Sequence, residues 1–446
     1  MQDDGLPSIE DMDERAVAAV STLYESPPAK NLGLSIQKDG RPEPSAANVA
    51  LILLKHPKWA GVLEHDERRE VVRFAKEPPL SEHLCRREAW PRPVVDADDV
   101  AFQAWLATAY SMNVALQTVR DGIGAAAFQN PRDEVRDYFE SLAWDGVPRL
   151  SSWFTVYFGA EPTSYVSAVG RCWLISAVAR CYQPGCQVDY MPVLEGKQGI
   201  GKSTGLAALA VRREWFMDAP LDFKSKDTAD ALNGPLIVEI GELDSFQKAE
   251  LTAAKAFISR QVDRYRGAYG RRNGDHRRRV VFAGTTNEDA YLRDPTGARR
   301  FWPIKCTVID RDAIARDRDQ LWAEAVAAYR AGEAWWPDGE VTALAATEQE
   351  QRYQGDDWEG VVEGFVQTRA EVSAREVATE ALRFDAKEIH SGISRRISAV
   401  LTRLGWTQTK NAVAREVNGR PSRERVFRRP ANTTATPSRS DEFGAS

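Results

Sequence analysis

The sequence lacks any apolar run of about eighteen residues, the length that a membrane-spanning helix requires. Its first residues, MQDDGLPSIEDMDERAV, are acidic, whereas a secretory signal begins with basic residues and continues with an apolar stretch. Both absences argue against a membrane-spanning or secreted protein. We therefore expect a soluble protein of the cytoplasm.

Cysteine is also scarce, with 5 residues in 446. Cys172, Cys181 and Cys186 lie close together, which raises the question of a zinc site. The first two are separated by about two and a half helical turns on a predicted helix and therefore face opposite sides of it. They cannot converge on one ion, so reduced thiols are expected.

An excess of positive charge is missing too, because the formal net charge is −6. Taken alone, this charge argues mildly against a nucleic-acid partner. The average conceals two arginine-rich segments, and a phosphate responds to local charge.

A glycine-rich segment at residues 190–209, YMPVLEGKQGIGKSTGLAAL, contains the pattern GxxxxGK(S/T). Met191, Val193 and Leu194 predict a short buried strand before the glycines, and residues 206–210 predict a helix after them. A strand, a glycine-rich turn and a helix N-terminus together direct backbone N–H groups at a phosphate. The segment therefore predicts an ATP site, the alternative being a glycine-rich turn that arose by chance.

Within this segment, Lys202 is expected to reach the β- and γ-phosphates, and Ser203 is expected to hold Mg²⁺. The residues expected to bind ATP are Gly196, Lys197, Gln198, Gly199, Ile200, Gly201, Lys202, Ser203 and Thr204.

Two later apolar runs predict further strands of the same parallel sheet. The first, at residues 233–244, places Glu239 and Glu242 at its carboxyl end, provided that Gly241 turns the chain. One acid would position Mg²⁺ and the other would orient and deprotonate the attacking water. The second run ends at Asn287, a candidate sensor of the γ-phosphate. The alternatives are a solvated strand-end carboxylate and an ordinary turn residue.

Two adjacent arginines, Arg299 and Arg300, precede an aromatic-rich strand. In a ring of subunits, one of them could enter the neighbouring site as an arginine finger. A surface pair is the alternative.

Residues 258–279 contain 8 arginines and 2 aspartates. Interleaved tyrosines and a turn predicted at Asn273 and Gly274 favour a hairpin that follows a nucleic-acid backbone, with arginines on phosphates and tyrosines on bases. A solvated basic loop is the alternative. The residues expected to contact DNA are Arg264, Tyr265, Arg266, Tyr269, Arg271, Arg272 and Arg277.

The rest of the chain predicts an α/β protein of several domains. The aromatic residues after residue 131 are spaced for helical packing. The predicted segments are a mostly helical N-terminal region (1–130) with an open role in DNA binding or assembly, a helical collar (131–185), an ATPase domain (186–340), a linker (341–365), a winged-helix-like domain (366–430) and a disordered tail (431–446).

The winged-helix-like domain is predicted from two helices, at residues 373–382 and 386–404, followed by an arginine-rich hairpin. Its second helix would enter a DNA groove and its hairpin would form the wing. A module used only for protein contacts is the alternative. The candidate DNA contacts are Arg395, Arg396 and Arg403 on the helix and Lys410 and Arg425 on the wing.

Several separate motifs in one order resemble the virulence-associated E family, a phage and mobile-element group of P-loop ATPases related to superfamily 3 helicases. The similarity covers about residues 90–310. The motifs that carry it are WDGVPRL, VARCYQPGCQVDYMPVLEGKQGIGKST, LIVEIGELD, KAFISRQVDRYRGAYGRR and VVFAGTTNEDAYLRDPTGARRFWPI.

The resemblance implies an ASCE or AAA+-like ATPase core that assembles as a ring, with a hexamer favoured. It implies that Lys202 and Ser203 form the first motif and that Glu239 and Glu242 form the second. It also implies that residues 255–279 line a central channel on single-stranded DNA. Many relatives carry a primase module, but no carboxylate set for that chemistry is recognisable before residue 130.

These expectations combine into an ATP-dependent DNA helicase of a phage or mobile element, with ATP and Mg²⁺ as its cofactors and DNA as its partner. The alternative is a nucleotide-regulated switch that binds DNA at an origin without unwinding it. Paired acids and a polar sensor favour turnover over binding alone.

Overall fold

The computed structural model describes residues 27–80, 89–266, 273–289, 291–292, 298–353, 355–417 and 420–429. The chain divides into two compact units. The first unit comprises residues 1–289 and 297–349, and the second comprises residues 290–296 and 350–446. Among the described helices, none is both long and apolar enough to cross a membrane.

The N-terminal part of the first unit combines helices with a small sheet. Its elements are α1 (Ala29–Leu32), α2 (Ala46–Lys55), β1 (Leu63–Asp66), β2 (Val71–Phe74), β3 (Arg92–Pro93), α3 (Asp96–Tyr110), α4 (Leu116–Ala127) and β4 (Pro131–Arg132). The strands pair in the order β3-β2-β1-β4. Trp59 stacks on Phe102 in the core of this part, with ring centroids 4.8 Å apart.

Among the described residues of this part, the helices contain more residues than the strands, which agrees with the prediction of a mostly helical N-terminal region. The strands contain between 2 and 4 residues. Strands this short do not show a readable alternation of apolar and polar side chains, so their pairing into a sheet was not predictable.

Three helices occupy the segment that was predicted to be a helical collar: α5 (Glu134–Ser141), α6 (Trp153–Phe158) and α7 (Ser164–Tyr182). Their aromatic side chains are mostly buried, as the spacing predicted. Trp153 stacks on Phe154 with centroids 3.8 Å apart, and the indole N–H of Trp173 donates to the carbonyl oxygen of Phe282 at 2.8 Å. The collar is therefore bonded directly to the sheet that follows.

A five-stranded parallel sheet forms the centre of the first unit. The strands of this part are β5 (Met191–Glu195), β6 (Phe216–Met217), β7 (Ile237–Ile240), β8 (Val262–Tyr265), β9 (Gly274–Arg277), β10 (Val281–Thr286) and β11 (Phe301–Lys305). The helices are α8 (Lys202–Leu209), α9 (Lys226–Ala231), α10 (Lys248–Ile258), α11 (Arg311–Arg330) and α12 (Gly339–Gln351).

The sheet order is β11-β5-β10-β7-β6, with parallel neighbours throughout. Every residue of β5, β7 and β10 is buried, as their near-continuous apolar runs predicted. Ala283 pairs with Glu239, and Thr286 pairs with Glu195. The carboxyl ends of these three strands therefore meet at one edge, where ligands of open α/β sheets bind.

The second unit contains helices and two small β structures. Its elements are β12 (Glu371–Ser373), α13 (Glu359–Val366), α14 (Ala374–Glu376), α15 (Ser391–Arg403), β13 (Thr407–Gln408), β14 (Val413–Val417), β15 (Arg420–Glu424) and β16 (Val426–Arg428). A three-stranded sheet has the order β12-β16-β13, and β14 pairs with β15 as a hairpin. Helices therefore precede a basic hairpin, in the order that the sequence predicted.

Two predictions for this part of the chain were wrong. The expected linker at residues 341–365 is occupied by much of α12 and α13. The second helix begins at Ser391 rather than at residue 386. His390 Nδ1 accepts a hydrogen bond from the backbone N–H of Gly392 at 3.2 Å, which caps the helix at that point.

Candidate nucleotide-hydrolysis site

The segment between β5 and α8, residues 196–201, is called here the glycine loop. Gly196 and Gly201 have φ angles of 156° and 97°, a range that side chains with a Cβ rarely adopt. A Cβ at residue 196 would lie 2.6 Å from the carbonyl oxygen of Cys306. Glycine is therefore required here both by backbone conformation and by the close approach of β11's continuation.

Lys202 is the first residue of α8, and its ammonium points back into the glycine loop. Nζ donates to the carbonyl oxygens of Gly196 and Lys197 at 2.6 and 3.1 Å and to Asn287 Oδ1 at 3.0 Å. The side chain is buried. Burial lowers the pKa of the ammonium, and the carboxylates of Glu239 and Asp244 oppose that shift.

The Glu239 carboxylate lies next to the start of α8. The hydroxyls of Ser203 and Thr285 both donate to its Oε1, at 2.8 and 2.7 Å. Glu239 is only 4% exposed, and within the described residues its Oε2 has no hydrogen-bond partner. The contact between the first and second predicted motifs is thus direct.

A magnesium ion fits this arrangement. A buried carboxylate oxygen without a partner is costly unless a cation compensates it. Mg²⁺ prefers oxygen ligands and is commonly held by one or two carboxylates together with substrate phosphates. Ser203 and Glu239 supply suitable oxygens, and Oε2 of Glu239 is the atom left for such an ion.

Glu242 lies beyond the end of β7, where the chain turns. The turn was predicted at Gly241, but it is Glu242 that has the positive φ, at 52°. A left-handed conformation costs a residue with a Cβ about 1–2 kcal/mol. Glu242 is exposed and lines the same cavity as Glu239. The two acids therefore belong to one site, in which Glu239 is buried and Glu242 is open to solvent.

Asp244 is a site residue that the sequence reasoning missed. Its Oδ1 accepts hydrogen bonds from the Thr286 hydroxyl at 2.8 Å and from the backbone N–H of Asn287 at 3.4 Å. These bonds fix the end of β10 beside Lys202. The available signal was a third acid, two residues after Glu242, in the same strand-end segment.

One cavity of about 730 Å³ connects these groups, within the usual range of ligand sites. Its lining includes the glycine loop, the carboxyl ends of β7 and β10, and the side chains of Ser203, Glu239, Glu242 and Asn287. The structure therefore brings together the residues predicted for phosphate, metal and water.

The two candidate finger arginines differ in their surroundings. Arg300 Nε donates to the Ser259 hydroxyl at 2.7 Å and the residue is partly buried. Arg299 is exposed, and its carbonyl oxygen accepts from the indole N–H of Trp302 at 3.1 Å. Only Arg299 has a side chain that projects to solvent, which makes it the stronger candidate to reach a neighbouring subunit.

The arginine-rich segment forms an antiparallel pair of strands, β8 and β9. Arg264, Arg266 and Arg277 are exposed, as predicted for DNA contacts. Gly274, predicted to lie in the turn with Asn273, is instead the first residue of β9 and pairs with Tyr265 at the end of the ladder. The predicted contacts Tyr269, Arg271 and Arg272 lie outside the described residues.

Tyr265 was predicted to stack on a base, and its burial corrects that prediction. It is 4% exposed and stacks instead on His276, with ring centroids 3.8 Å apart. Residues alternate between the two faces of β8, so the exposure of Arg264 places Tyr265 inside. Burial also raises the pKa of its hydroxyl.

Residues 139–354 match the model of the virulence-associated protein E-like domain. The matched segment is a little under half of the chain and is similar to that family. The match confirms the resemblance carried by the motifs and contains the glycine loop, Glu239, Asn287 and the basic hairpin. No curated protein matches the chain.

Solved structures of the C-terminal region of NrS-1 are similar to this chain. One apo structure has 12% sequence identity, covers 86% of this chain and 99% of its own and has a TM-score of 0.46. An A-form apo structure has 13% identity, the same coverage and a TM-score of 0.45. Another covers 65% of this chain and 78% of its own at 14% identity, with a TM-score of 0.35.

The second unit lies mostly beyond the virulence-associated protein E-like domain, and two of its predicted DNA contacts are corrected. Arg396 Nε forms an ion pair with Asp356 at 2.7 Å, and its guanidinium lies 3.8 Å from the ring centroid of Trp358. Arg403 pairs with Glu350 and with Glu359, at 2.7 and 2.9 Å. Both guanidinium groups are therefore engaged inside the unit. Arg395, Lys410 and Arg425 are exposed.

Proposed function

We propose that this protein is an ATP-dependent DNA helicase of a phage or mobile genetic element. The observation that supports this most directly is the hydrogen bond between Ser203 and Glu239, 2.8 Å long, beside the contact between Lys202 and Asn287. A lysine, a hydroxyl, an acid and a polar strand-end residue around one glycine loop are the parts that P-loop nucleotide hydrolysis uses. The match of residues 139–354 to the virulence-associated protein E-like domain agrees with this proposal.

ATP is proposed to bind with its phosphates in the glycine loop. Backbone N–H groups of the loop and the N-terminus of α8 would surround the phosphate oxygens, and Lys202 would bond the β- and γ-phosphates. Ser203 and Glu239 would hold Mg²⁺, with Glu242 as a further ligand candidate. The ion supplies neutralisation of the charge that develops on the transferred phosphoryl group.

The remaining polar groups would act on the attacking water. Glu242 is exposed at the cavity and is proposed to accept the proton of that water. Asn287, held by its backbone bond to Asp244, would hydrogen-bond the γ-phosphate or the water through its side chain. Two acids with different exposure can divide the tasks of metal binding and proton acceptance between them.

We propose further that subunits assemble head to tail as a ring, with a hexamer favoured. Arg299 of one subunit would then complete the phosphate site of the next, because its side chain projects to solvent. Head-to-tail contacts close into rings when the rotation between copies allows it.

DNA is proposed to bind in the central channel of the ring, against the exposed arginines of the hairpin. Arg264, Arg266 and Arg277 would contact the phosphates of a single strand. The second unit, used as a winged-helix module, would add Arg395, Lys410 and Arg425 as contacts to duplex DNA. Each turnover would move the hairpins and, with them, the strand.

The test compares Lys202→Ala with wild type in three assays: ATP hydrolysis, its stimulation by single-stranded DNA, and displacement of a strand from a forked duplex. We expect Lys202→Ala to lose hydrolysis while keeping a cooperative melting transition, which shows that the variant is folded. Lys305→Ala, which removes an exposed lysine at the end of β11, is the matched control and should remain active. Slow hydrolysis that ignores DNA, without strand displacement, would favour the nucleotide-regulated switch.

A further inference from the structure

The turn between β1 and β2, residues 66–70, is called here the N-terminal turn, and its conformation is well determined. Asp66 Oδ1 accepts hydrogen bonds from the backbone N–H groups of Arg68 and Arg69, at 3.0 and 2.9 Å. Glu70 has a φ of 55°, in the left-handed region. A conformation of this cost persists only where the surroundings fix it, and such positions are enriched at functional sites.

Arg68 connects the N-terminal turn to the central sheet of the first unit. Its guanidinium is buried, and Nη1 donates to the carbonyl oxygens of Pro235 and Arg279, both at 3.1 Å. Pro235 lies just before β7 and Arg279 lies just before β10. One side chain thus bonds the segments that precede two strands, β7, which contains Glu239, and β10, which Asn287 follows.

Glu70 connects the same turn to the basic hairpin. Its Oε2 lies 2.6 Å from His276 Nδ1 on β9. His276 stacks on Tyr265 of β8, and the Tyr265 hydroxyl accepts from Asn233 Nδ2 at 2.6 Å. Asn233 precedes β7 in the same short segment as Pro235. A continuous series of contacts therefore connects the N-terminal turn, both strands of the hairpin and the segment that precedes β7.

The link between the hairpin and β10 is held by the N-terminal turn and by Asp133, the residue that caps α5. It consists of residues 278–280, and its Arg279 forms an ion pair with Asp133 at 2.9 Å and a longer one with Glu67 at 3.6 Å. On the other side, Arg278 pairs with Asp263 of β8 at 2.6 Å. Arg278 and Arg279 are both held by ion pairs. A displacement of the hairpin would therefore stretch or break these ion pairs.

We propose that the N-terminal turn supports the base of the basic hairpin against the strands of the hydrolysis site, and that Glu70 and His276 transmit DNA occupancy to ATP turnover. The N-terminal region is then a coupling element rather than a separate DNA-binding module. This inference rests on the proposed function, since it requires hydrolysis that responds to DNA. Glu70 and His276 are positioning residues: neither lines the nucleotide cavity, and neither is itself a proposed DNA contact.

The test uses the full chain with Glu70→Asn, His276→Ala and the double variant. Asparagine adopts the left-handed conformation more readily than glutamate, so Glu70→Asn keeps the turn while its shorter, uncharged side chain loses the carboxylate. Glu140→Asn is the matched control. Glu140 is an exposed residue of α5, its carboxylate forms an ion pair with Arg136 at 3.0 Å, and neither residue belongs to the hairpin. Melting temperature, single-stranded DNA affinity, and hydrolysis with and without DNA are measured for each.

We expect basal hydrolysis and DNA affinity within about twofold of wild type, and a loss of about 2- to 30-fold in the stimulation by DNA, the range for residues that carry coupling between sites. The double variant should be no worse than the stronger single variant, because both changes break one contact. Stimulation equal to wild type in both single variants overturns the inference alone. A wild-type protein without DNA-stimulated hydrolysis refutes the proposed function and this inference together.

Discussion

Replacing Thr285 with valine removes one hydrogen bond from the Glu239 carboxylate and changes little else. The Thr285 hydroxyl donates to Oε1 at 2.7 Å, and the residue is 6% exposed. Valine has nearly the same volume, so the substitution leaves no cavity. Oε1 then keeps the Ser203 hydroxyl, at 2.8 Å, as its remaining side-chain donor in the described structure.

The size of the effect follows from the charge of the acceptor. A hydrogen bond to a charged group contributes about 1.5–3 kcal/mol, and a tenfold change in rate corresponds to about 1.4 kcal/mol. If the whole contribution serves to hold Glu239 in its reactive orientation, ATP turnover falls by about 10- to 150-fold. The apparent affinity for Mg²⁺ should fall with it, since Oε1 and Oε2 belong to one carboxylate.

The assay is steady-state phosphate release at saturating ATP, repeated across a Mg²⁺ titration. Thr285→Ser is the control, because serine keeps the hydroxyl and loses only a methyl group. We expect Thr285→Ser to remain within a few-fold of wild type. Equal rates for the valine and serine variants would refute the role of this bond in orienting Glu239.

Three further predictions concern other parts of the site. Gly196→Ala should abolish ATP binding, measured by calorimetry, because its Cβ would lie 2.6 Å from a carbonyl oxygen. Arg299→Ala should be inactive alone but recover hydrolysis when mixed with Lys202→Ala protein, since each contributes an intact half-site; a mixture without activity would contradict shared sites. Arg395→Ala should weaken duplex binding without changing the melting temperature, whereas Arg396→Ala should lower the melting temperature because it breaks a partly buried ion pair.

The centre of the fold was predictable because its strands are buried on both faces. Runs such as Leu236 to Ile240 are apolar almost throughout, and each ends at polar residues. Parallel strands bring their carboxyl ends to one edge, so Glu239 and Asn287 could be expected near the glycine loop. Such apolar runs do not predict the order of the strands in the sheet, and so they do not predict that β10 lies between β5 and β7.

The partners of individual charged side chains were much less predictable. Arg396 and Arg403 belong to a basic helix, yet their guanidinium groups bond acids from a segment that was expected to be a linker. Tyr265 alternates with exposed arginines, and only the face of β8 that packs inward decides its burial. Long-range pairs of this kind depend on tertiary packing rather than on local sequence.

The sequence reasoning missed some site residues because their residue types are common and do not by themselves indicate a site. Thr285 reads as part of an apolar strand, and Asp244 reads as an ordinary acid after a turn. Thr285 is identified by its hydrogen bond to Glu239, and Asp244 by the hydrogen bonds that it accepts from Thr286 and Asn287. The distances between side chains, rather than their types, reveal that both support the site.

The contacts of Lys202 have a consequence for affinity. Its ammonium donates hydrogen bonds to three protein oxygens. A phosphate that binds Lys202 would replace these hydrogen bonds with its own. The total number of hydrogen bonds would therefore change little, and so would their contribution to the binding free energy. The gain comes mainly from attraction between opposite charges, and added salt weakens that attraction. Nucleotide affinity should therefore decline as ionic strength rises, and the two loop carbonyls that recapture the ammonium should speed the departure of the spent nucleotide.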